Sequence, residues 1–250
     1  MNLRTIRTIG IISITMAWLG GCDRGPKDTG NPQPSAQPAT TQPEASSAQP
    51  PAGLVALELL YAKPQFVGTP KGGFSKEVEA LPEKPRPRVF APAGTVNLSK
   101  GRPVTGSDSS PTNGSLDMVT DGDKEAMQGS EVELSIGKQW VQIDLGQPSE
   151  LHSILVWHQH KDARAYKDAI VQVSADADFI GDVQTLFNND RDNSTGLGLG
   201  TDREYLEHWE GKLIDGKSAT GRHVRLWSNG STSDDQNHYI EVEVWGKPVK

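Results

Sequence analysis

Three short segments in the second half of the chain alternate apolar and polar residues with a period of two. They read QWVQIDLG from Gln139, RHVRLWSNG from Arg222 and NHYIEVEVWG from Asn237. A strand with one buried face has this period, because successive side chains point to opposite faces of a sheet. Two antiparallel sheets that face each other would bury all three apolar faces. The sequence therefore predicts an all-β fold, an antiparallel β-sandwich.

The alternation also predicts which side chains face the core. These are Val141, Ile143 and Leu145, then Val224 and Leu226, then Ile240, Val242 and Val244. Further strands are predicted at 153–158, where Trp157 points outward, and at 169–174, with Gly-rich and Asn/Asp-rich loops between the strands. The chain from residue 95 to residue 250 is long enough for one sandwich domain with a sufficient core.

The N-terminus predicts export and a lipid anchor. Arg4 and Arg7 precede an apolar run, 9–19, that is too short to span a bilayer, and LGGC ending at Cys22 resembles a bacterial lipobox. We expect residues 1–21 to be a lipoprotein signal peptide and Cys22 to carry the lipid, on the cell envelope facing the periplasm or the exterior. A single cysteine cannot form an internal disulfide, which favours lipidation. The alternative is an uncleaved anchor or an ordinary signal peptide.

Two segments separate the anchor from the sandwich. Residues 22–53 are rich in Pro, Ser and Gln without an aromatic residue, which predicts a disordered tether. Residues 54–94 contain isolated aromatics and several prolines, which predicts an extended arm. We expect the arm to pack on the sandwich, because Trp157, Trp227 and Trp245 would otherwise be exposed. The alternative is that these tryptophans await a partner.

Composition and motifs argue against several functions. The net charge of −7 becomes −9 when the signal removes Arg4 and Arg7, which argues against nucleic acid and leaves the lipid as the membrane contact. The sequence has no G-x-S-x-G nucleophile motif and no phosphate-binding glycine loop before a helix, so we predict no enzyme. A glycosidase pair among the 32 acidic residues stays open.

The stretches WVQIDLG, VWHQH, FNNDRDNS and NHYIEVEV, taken together, resemble the discoidin, or coagulation factor V/VIII type C, family. The resemblance runs from about Val96 to Gly246. It implies the galactose-binding-like jelly-roll fold. Bacterial members of this family are commonly carbohydrate-binding modules, so the resemblance also implies a glycan ligand.

The same resemblance implies a structural calcium ion. Its ligands would be Asp121 and Asp123 of a D-G loop, Glu241 of the last strand, and loop carbonyls. The family has Ser or Thr followed by Trp after the D-G loop, whereas this chain reads KEAM from Lys124. A plain turn is the alternative at this loop, since Asp-Gly suits a turn.

A second oxygen-rich loop, 188–194, reads NNDRDNS and is followed by three spaced glycines. Asp190 and Asp192 are its candidate ion or ligand residues, with a structural turn as the alternative. An EF-hand is excluded, because the required glycine and the terminal glutamate are out of register.

Ligand contacts are expected in loops at one end of the sandwich, where rings and planar polar groups can meet a sugar. The candidates are His158, His160, Arg164, Tyr166, Trp209, Asn229 and Asn237. Loop packing is the alternative for each, and the H-x-H pair is a weak zinc signal. The leading hypothesis is a noncatalytic binding module for carbohydrate, and the alternative is a structural or assembly lipoprotein that binds another envelope protein.

Overall fold

Antiparallel strands make up nearly all the regular structure of the computed structural model, which describes residues 50–64, 76 and 78–249. The signal peptide, Cys22, most of the tether and the middle of the arm lie outside the described residues. The strands are β1 Leu54–Ala56, β2 Phe90–Pro92, β3 Val96–Asn97, β4 Val104–Gly106, β5 Val132–Leu134, β6 Gln139–His158, β7 Ile170–Ser174, β8 Gln184–Asn188, β9 Lys212–Asp215, β10 Thr220–Ser228 and β11 Asn237–Pro248. One 3-10 helix spans Leu116–Thr120, and no helix within the described ranges could cross a membrane.

β6 joins two strands that the sequence predicted separately, 139–146 and 153–158. Its first half pairs with β10 and β4, and its second half pairs with β11 and β9. The two ends of β6 pair with Ser228 of β10 and Tyr239 of β11, which are joined by a short loop. Both ends of β6 therefore lie at the same end of the molecule. The strand doubles back near Gly146, whose φ of 85° suits the bend.

The two halves of β6 face each other across one hydrophobic core. Val141 and Ile143 from the first half share this core with Ile154 and Val156 from the second. The same core contains five more residues that the sequence predicts to point inward, namely Leu145, Val224, Leu226, Val242 and Val244. The predicted antiparallel sandwich is confirmed, because one apolar interior collects side chains from both layers.

Ile240 is the exception among the predicted core residues. The pairing of β11 with β6 shifts register between Tyr239 and Glu241, which leaves Ile240 as the extra residue of a bulge. Tyr239 takes the inward position, and Ile240 packs on the outer face against Leu155 and Trp157. A period-two pattern cannot anticipate an inserted residue, so the prediction for Ile240 was wrong.

The outer face of the second half of β6 carries a second apolar cluster, which lies under the arm. Leu155, Trp157, Ala126 and Ile240 form its buried part, and Leu59 and Tyr61 of the arm pack against it together with Trp245. β1 and β2, at the two ends of the arm, pair with each other. Trp227 lies elsewhere, with its ring 6.3 Å from that of Trp140. The described residues of the arm therefore cover two of the three outward tryptophans, Trp157 and Trp245.

Gly211 lets the chain pass over the Trp157 ring. Its φ is 69°, and an added Cβ would lie 2.6 Å from ring atom Cε2 of Trp157. Gly101 has a similar φ of 66° but no atom within 4 Å, so it is a matched control for backbone strain alone. We expect Gly211→Ala to lower the free energy of unfolding by about 2 kcal/mol more than Gly101→Ala, as measured by urea denaturation. Equal losses of unfolding free energy in the two variants would show that the Trp157 ring moves aside without an energetic cost.

Candidate functional site

Four loops are tied together at the end of the sandwich where both ends of β6 lie. The loop 159–169 pairs with the loop 229–236, since Tyr166 and Ser231 form a bridge and Thr232 N–H donates to the Ala165 carbonyl at 2.9 Å. The loop 189–200 joins them where Ser194 Oγ donates to Asp168 Oδ2 at 2.7 Å. The turn before β6 is held by Asn237, which donates to two of its carbonyls. These hydrogen bonds give a preformed surface.

Arg164 is the centre of a charged group on this surface. Its guanidinium donates to Asp162 through Nε at 2.9 Å and to Asp234 through Nη1 at 2.9 Å. The Arg164 side chain is 10% exposed, whereas those of Asp162 and Asp234 are 36% and 33% exposed. The arginine therefore holds two partly exposed carboxylates at the surface.

His158 and Tyr166 lie beneath this surface rather than on it. His158 Nδ1 donates to Glu207 Oε1 at 2.8 Å, and both side chains are buried. The His158 ring stacks on Tyr166 with centroids 4.4 Å apart, and the Tyr166 hydroxyl hydrogen-bonds His238 Nδ1 at 3.0 Å. Burial raises the pKa of Tyr166 well above its usual value. These groups form a buried polar layer that supports the loops, so the prediction of direct ligand contact does not fit them.

The other candidates divide between support and surface. His160 and Asn237 are buried; His160 Nε2 donates to the Lys124 carbonyl at 2.9 Å, and Asn237 holds the turn before β6. Asn229 is half-buried and donates to Asp168 Oδ2 at 2.8 Å. Trp209 is half-buried and meets the arm, with its ring 6.0 Å from that of Tyr61. Arg164, Asn229 and Trp209 are thus the candidates within reach of a ligand.

Two carboxylates of the loop 188–194, those of Asp190 and Asp192, lie beside the carboxylate of Asp168. Oxygens of Asp168, Asp190 and Asp192 lie within 4.8 Å of one another. Protein donors already bind them: Asp190 accepts hydrogen bonds from Ser194 and Thr195, which lower its pKa even though burial opposes this. This bonding is that of a structural turn. An ion or ligand at Asp190 and Asp192 stays a prediction.

The fold brings the D-G loop to the last strand, as the resemblance implies, but among the described residues Asp121, Asp123 and Glu241 do not form a cluster with ligand atoms within 4.8 Å of one another. Gly122 N–H donates to Glu241 Oε2 at 3.0 Å. Asp121 Oδ1 accepts Asp123 N–H at 2.7 Å, and Asp123 in turn accepts hydrogen bonds from Glu125 N–H and Ser130 Oγ. Burial raises the pKa of Glu241 to about 8. The loop therefore contacts Glu241 through its backbone.

Part of the chain that includes these loops matches a known protein family. Residues 118–205 match the family model of the F5/F8 type C, NedA-like galactose-binding domain. This part of the chain is therefore similar to an F5/F8 type C domain. The match begins in the 3-10 helix and takes in the D-G loop and the loops 159–169 and 189–200. The resemblance seen in the sequence is confirmed. The sequence matches no curated protein.

Solved structures that are similar to this chain come from several bacteria. A family 89 glycoside hydrolase from Clostridium perfringens is 20% identical with a TM-score of 0.47, covering 62% of this chain and 15% of its own. A chitosan-binding module of a Paenibacillus chitosanase/glucanase is 18% identical with a TM-score of 0.44, covering 60% and 98%. A Streptococcus pneumoniae fucose binding module is 18% identical with a TM-score of 0.42, covering 60% and 96%. The chain thus spans less than a sixth of the hydrolase.

Several side chains that hold the site together could not be singled out from the sequence. Glu207, Asp234, Asp168 and Lys124 are the clearest cases. Asp162, two residues before Arg164, could have been found, because the spacing D-A-R places opposite charges close together. Glu207 carries no such local signal, since its partner His158 is 49 residues away.

Proposed function

We propose that this chain is a noncatalytic carbohydrate-binding module displayed on the bacterial cell envelope through a lipid on Cys22. The observation that carries the proposal is the match of residues 118–205 to a galactose-binding domain model. The matched residues include three of the four loops that are tied together at one end of the sandwich. Preformed loops lose little conformational entropy when a ligand binds, which favours recognition.

The loop surface offers the acceptors that a sugar needs. Hydroxyl groups of a glycan donate to carboxylates, and Asp162 and Asp234 are held at the surface by Arg164. Hydrogen bonds to charged acceptors are stronger than those between neutral groups. Asn229 lies on the same loop as Asp234, 229–236, and donates to Asp168. In this proposal Asp162, Asp234 and Asn229 meet the sugar hydroxyls, while Trp209 is a more distant ring beside the arm.

Glycan binding is tested with residues 50–250 on an array of neutral and acidic pyranosides, followed by calorimetry with the strongest hit. We expect Asp162→Asn and Asp234→Asn each to weaken binding about tenfold, because a charged acceptor is replaced by an amide. Glu150→Gln is the matched control. Glu150 is exposed at the bend of β6, at the opposite end of the sandwich, and its replacement should leave affinity unchanged.

Three outcomes would contradict the proposal. The array could show no binding, the two loop variants could bind like the Glu150→Gln control, or the purified protein could cleave the glycan. Capture of an envelope protein that needs the arm and survives both loop substitutions would favour the assembly role instead.

A further inference from the structure

Lys124 of the D-G loop is a cation at the edge of the protein interior. Its side chain is only 9% exposed. An ammonium group removed from water is costly unless it is paired and hydrogen-bonded. The surroundings of Lys124 must therefore supply negative charge and acceptors.

Three groups surround the Lys124 ammonium. Its Nζ lies 2.8 Å from Glu243 Oε1 and donates to the Gly122 carbonyl at 3.5 Å. It also lies over the Trp157 ring, 5.3 Å from the centroid. The ammonium thus bridges the D-G loop and the last strand, the two segments that the resemblance expects calcium to join.

The last strand brings two glutamates close to the D-G loop and the Lys124 ammonium. Glu241 and Glu243 follow each other on the outer face of β11, and both are buried. Glu241 Oε2 accepts the Gly122 N–H, whereas Glu241 Oε1 has no hydrogen-bond partner. Two adjacent buried carboxyl groups repel each other when ionised, so a neighbouring cation stabilises the fold.

Calcium itself does not fit the donors that are present. Calcium takes about six to eight oxygen ligands. One buried oxygen without a hydrogen-bond partner, Glu241 Oε1, falls short of that number. Asp121 and Asp123 accept hydrogen bonds within their own loop and form no metal-ligating cluster with Glu241 among the described residues. The Ser or Thr of the family is absent, and Ala126 packs in the outer apolar cluster. The donor set therefore differs from the one that the resemblance implies.

We propose that the Lys124 ammonium replaces the family's calcium ion, so that the D-G loop is held to the last strand without metal. A covalently attached cation provides the positive charge and a donor to the Gly122 carbonyl at every calcium concentration. This proposal is independent of the glycan-binding function.

The test compares wild type and Lys124→Met, each stripped with a chelator and then given millimolar calcium chloride. Methionine retains an apolar stem over Trp157 but removes the charge. We expect wild type to show a Tm change below about 1 °C and no calorimetric binding heat. Lys124→Met should lose about 10 °C in chelator, because a buried carboxylate loses its partner. Calcium should restore part of this loss, because the substitution frees Glu243 Oε1 and the Gly122 carbonyl, which the ammonium occupies in wild type. Lys84→Met, at an exposed position of the arm, is the matched control and should behave as wild type.

The proposal is overturned if calcium raises the Tm of wild type and Glu241→Gln removes that rise. It is also overturned if Lys124→Met keeps the wild-type Tm, or if calcium leaves the Tm of this variant unchanged. Should Lys124→Met fail to fold, the calcium titration of wild type decides alone.

Discussion

Replacing Trp157 with alanine is expected to lower the free energy of unfolding by about 3–5 kcal/mol, the range for a large aromatic side chain removed from a core. Trp157 is fully buried, although it points away from the main core. It packs with Leu155 and Ile240 under the arm, and its Nε1 donates to the Trp209 carbonyl at 3.0 Å. Alanine would leave a cavity and an unpaired carbonyl. Urea denaturation monitored by circular dichroism measures the loss.

Trp227→Ala is the matched control, because Trp227 is also an outward tryptophan of a central strand but is only half-buried. Its ring contacts Trp140 and Lys138, and no described residue of the arm is found in contact with it. We expect a loss of less than half that of Trp157→Ala. If the two substitutions cost the same, the arm adds no stability through Trp157, and the outer cluster is not a second core.

Replacing His158 with leucine is expected to cost about 3–5 kcal/mol, because it leaves the buried carboxylate of Glu207 without its partner. The His158–Glu207 contact is 2.8 Å long, and the Glu207 side chain has no exposed surface. Glu207 Oε2 has no hydrogen-bond partner, so no second donor stabilises the carboxylate when His158 is replaced. Equilibrium unfolding in urea gives the free-energy change.

The double variant His158→Leu/Glu207→Leu separates the pair from packing. Apolar replacement of both partners of a buried pair is often close to neutral, so we expect the double variant to recover most of the stability that His158→Leu loses. Additive losses in the two single variants would mean that packing on Tyr166 and Tyr239, rather than the pair, accounts for the effect of His158.

Much of the fold could be predicted from local alternation, because one buried face fixes the period of a strand. Val141, Ile143, Val224 and Leu226 lie in the core as the pattern indicates. The bulge at Ile240 and the bend that joins the two halves of β6 could not be predicted. Both depend on which strand lies alongside, and a period of two contains no information about partners.

The candidate site was predictable by location but not by role. His158 and Tyr166 lie at the expected end of the sandwich, yet they are buried, because Glu207 and His238 meet them from distant parts of the chain. A histidine near a strand end looks the same in sequence whether it faces solvent or a hidden carboxylate. Lys124 is a similar case, since its pairing with Glu243 joins residues far apart in sequence.

The C-terminal strand has a consequence for how the chain reaches its native state. β11 pairs with β3, β5 and β6, so Asn97 meets Trp245 and Val156 meets Val242 across long stretches of intervening chain. Such a topology has a high contact order, which slows folding because loop-closure entropy is lost before the contacts form. A nascent chain that lacks β11 leaves the second half of β6 without its main neighbour. We expect the native sandwich to form only after β11 has been synthesised, and until then the unpaired strand edges need protection from aggregation.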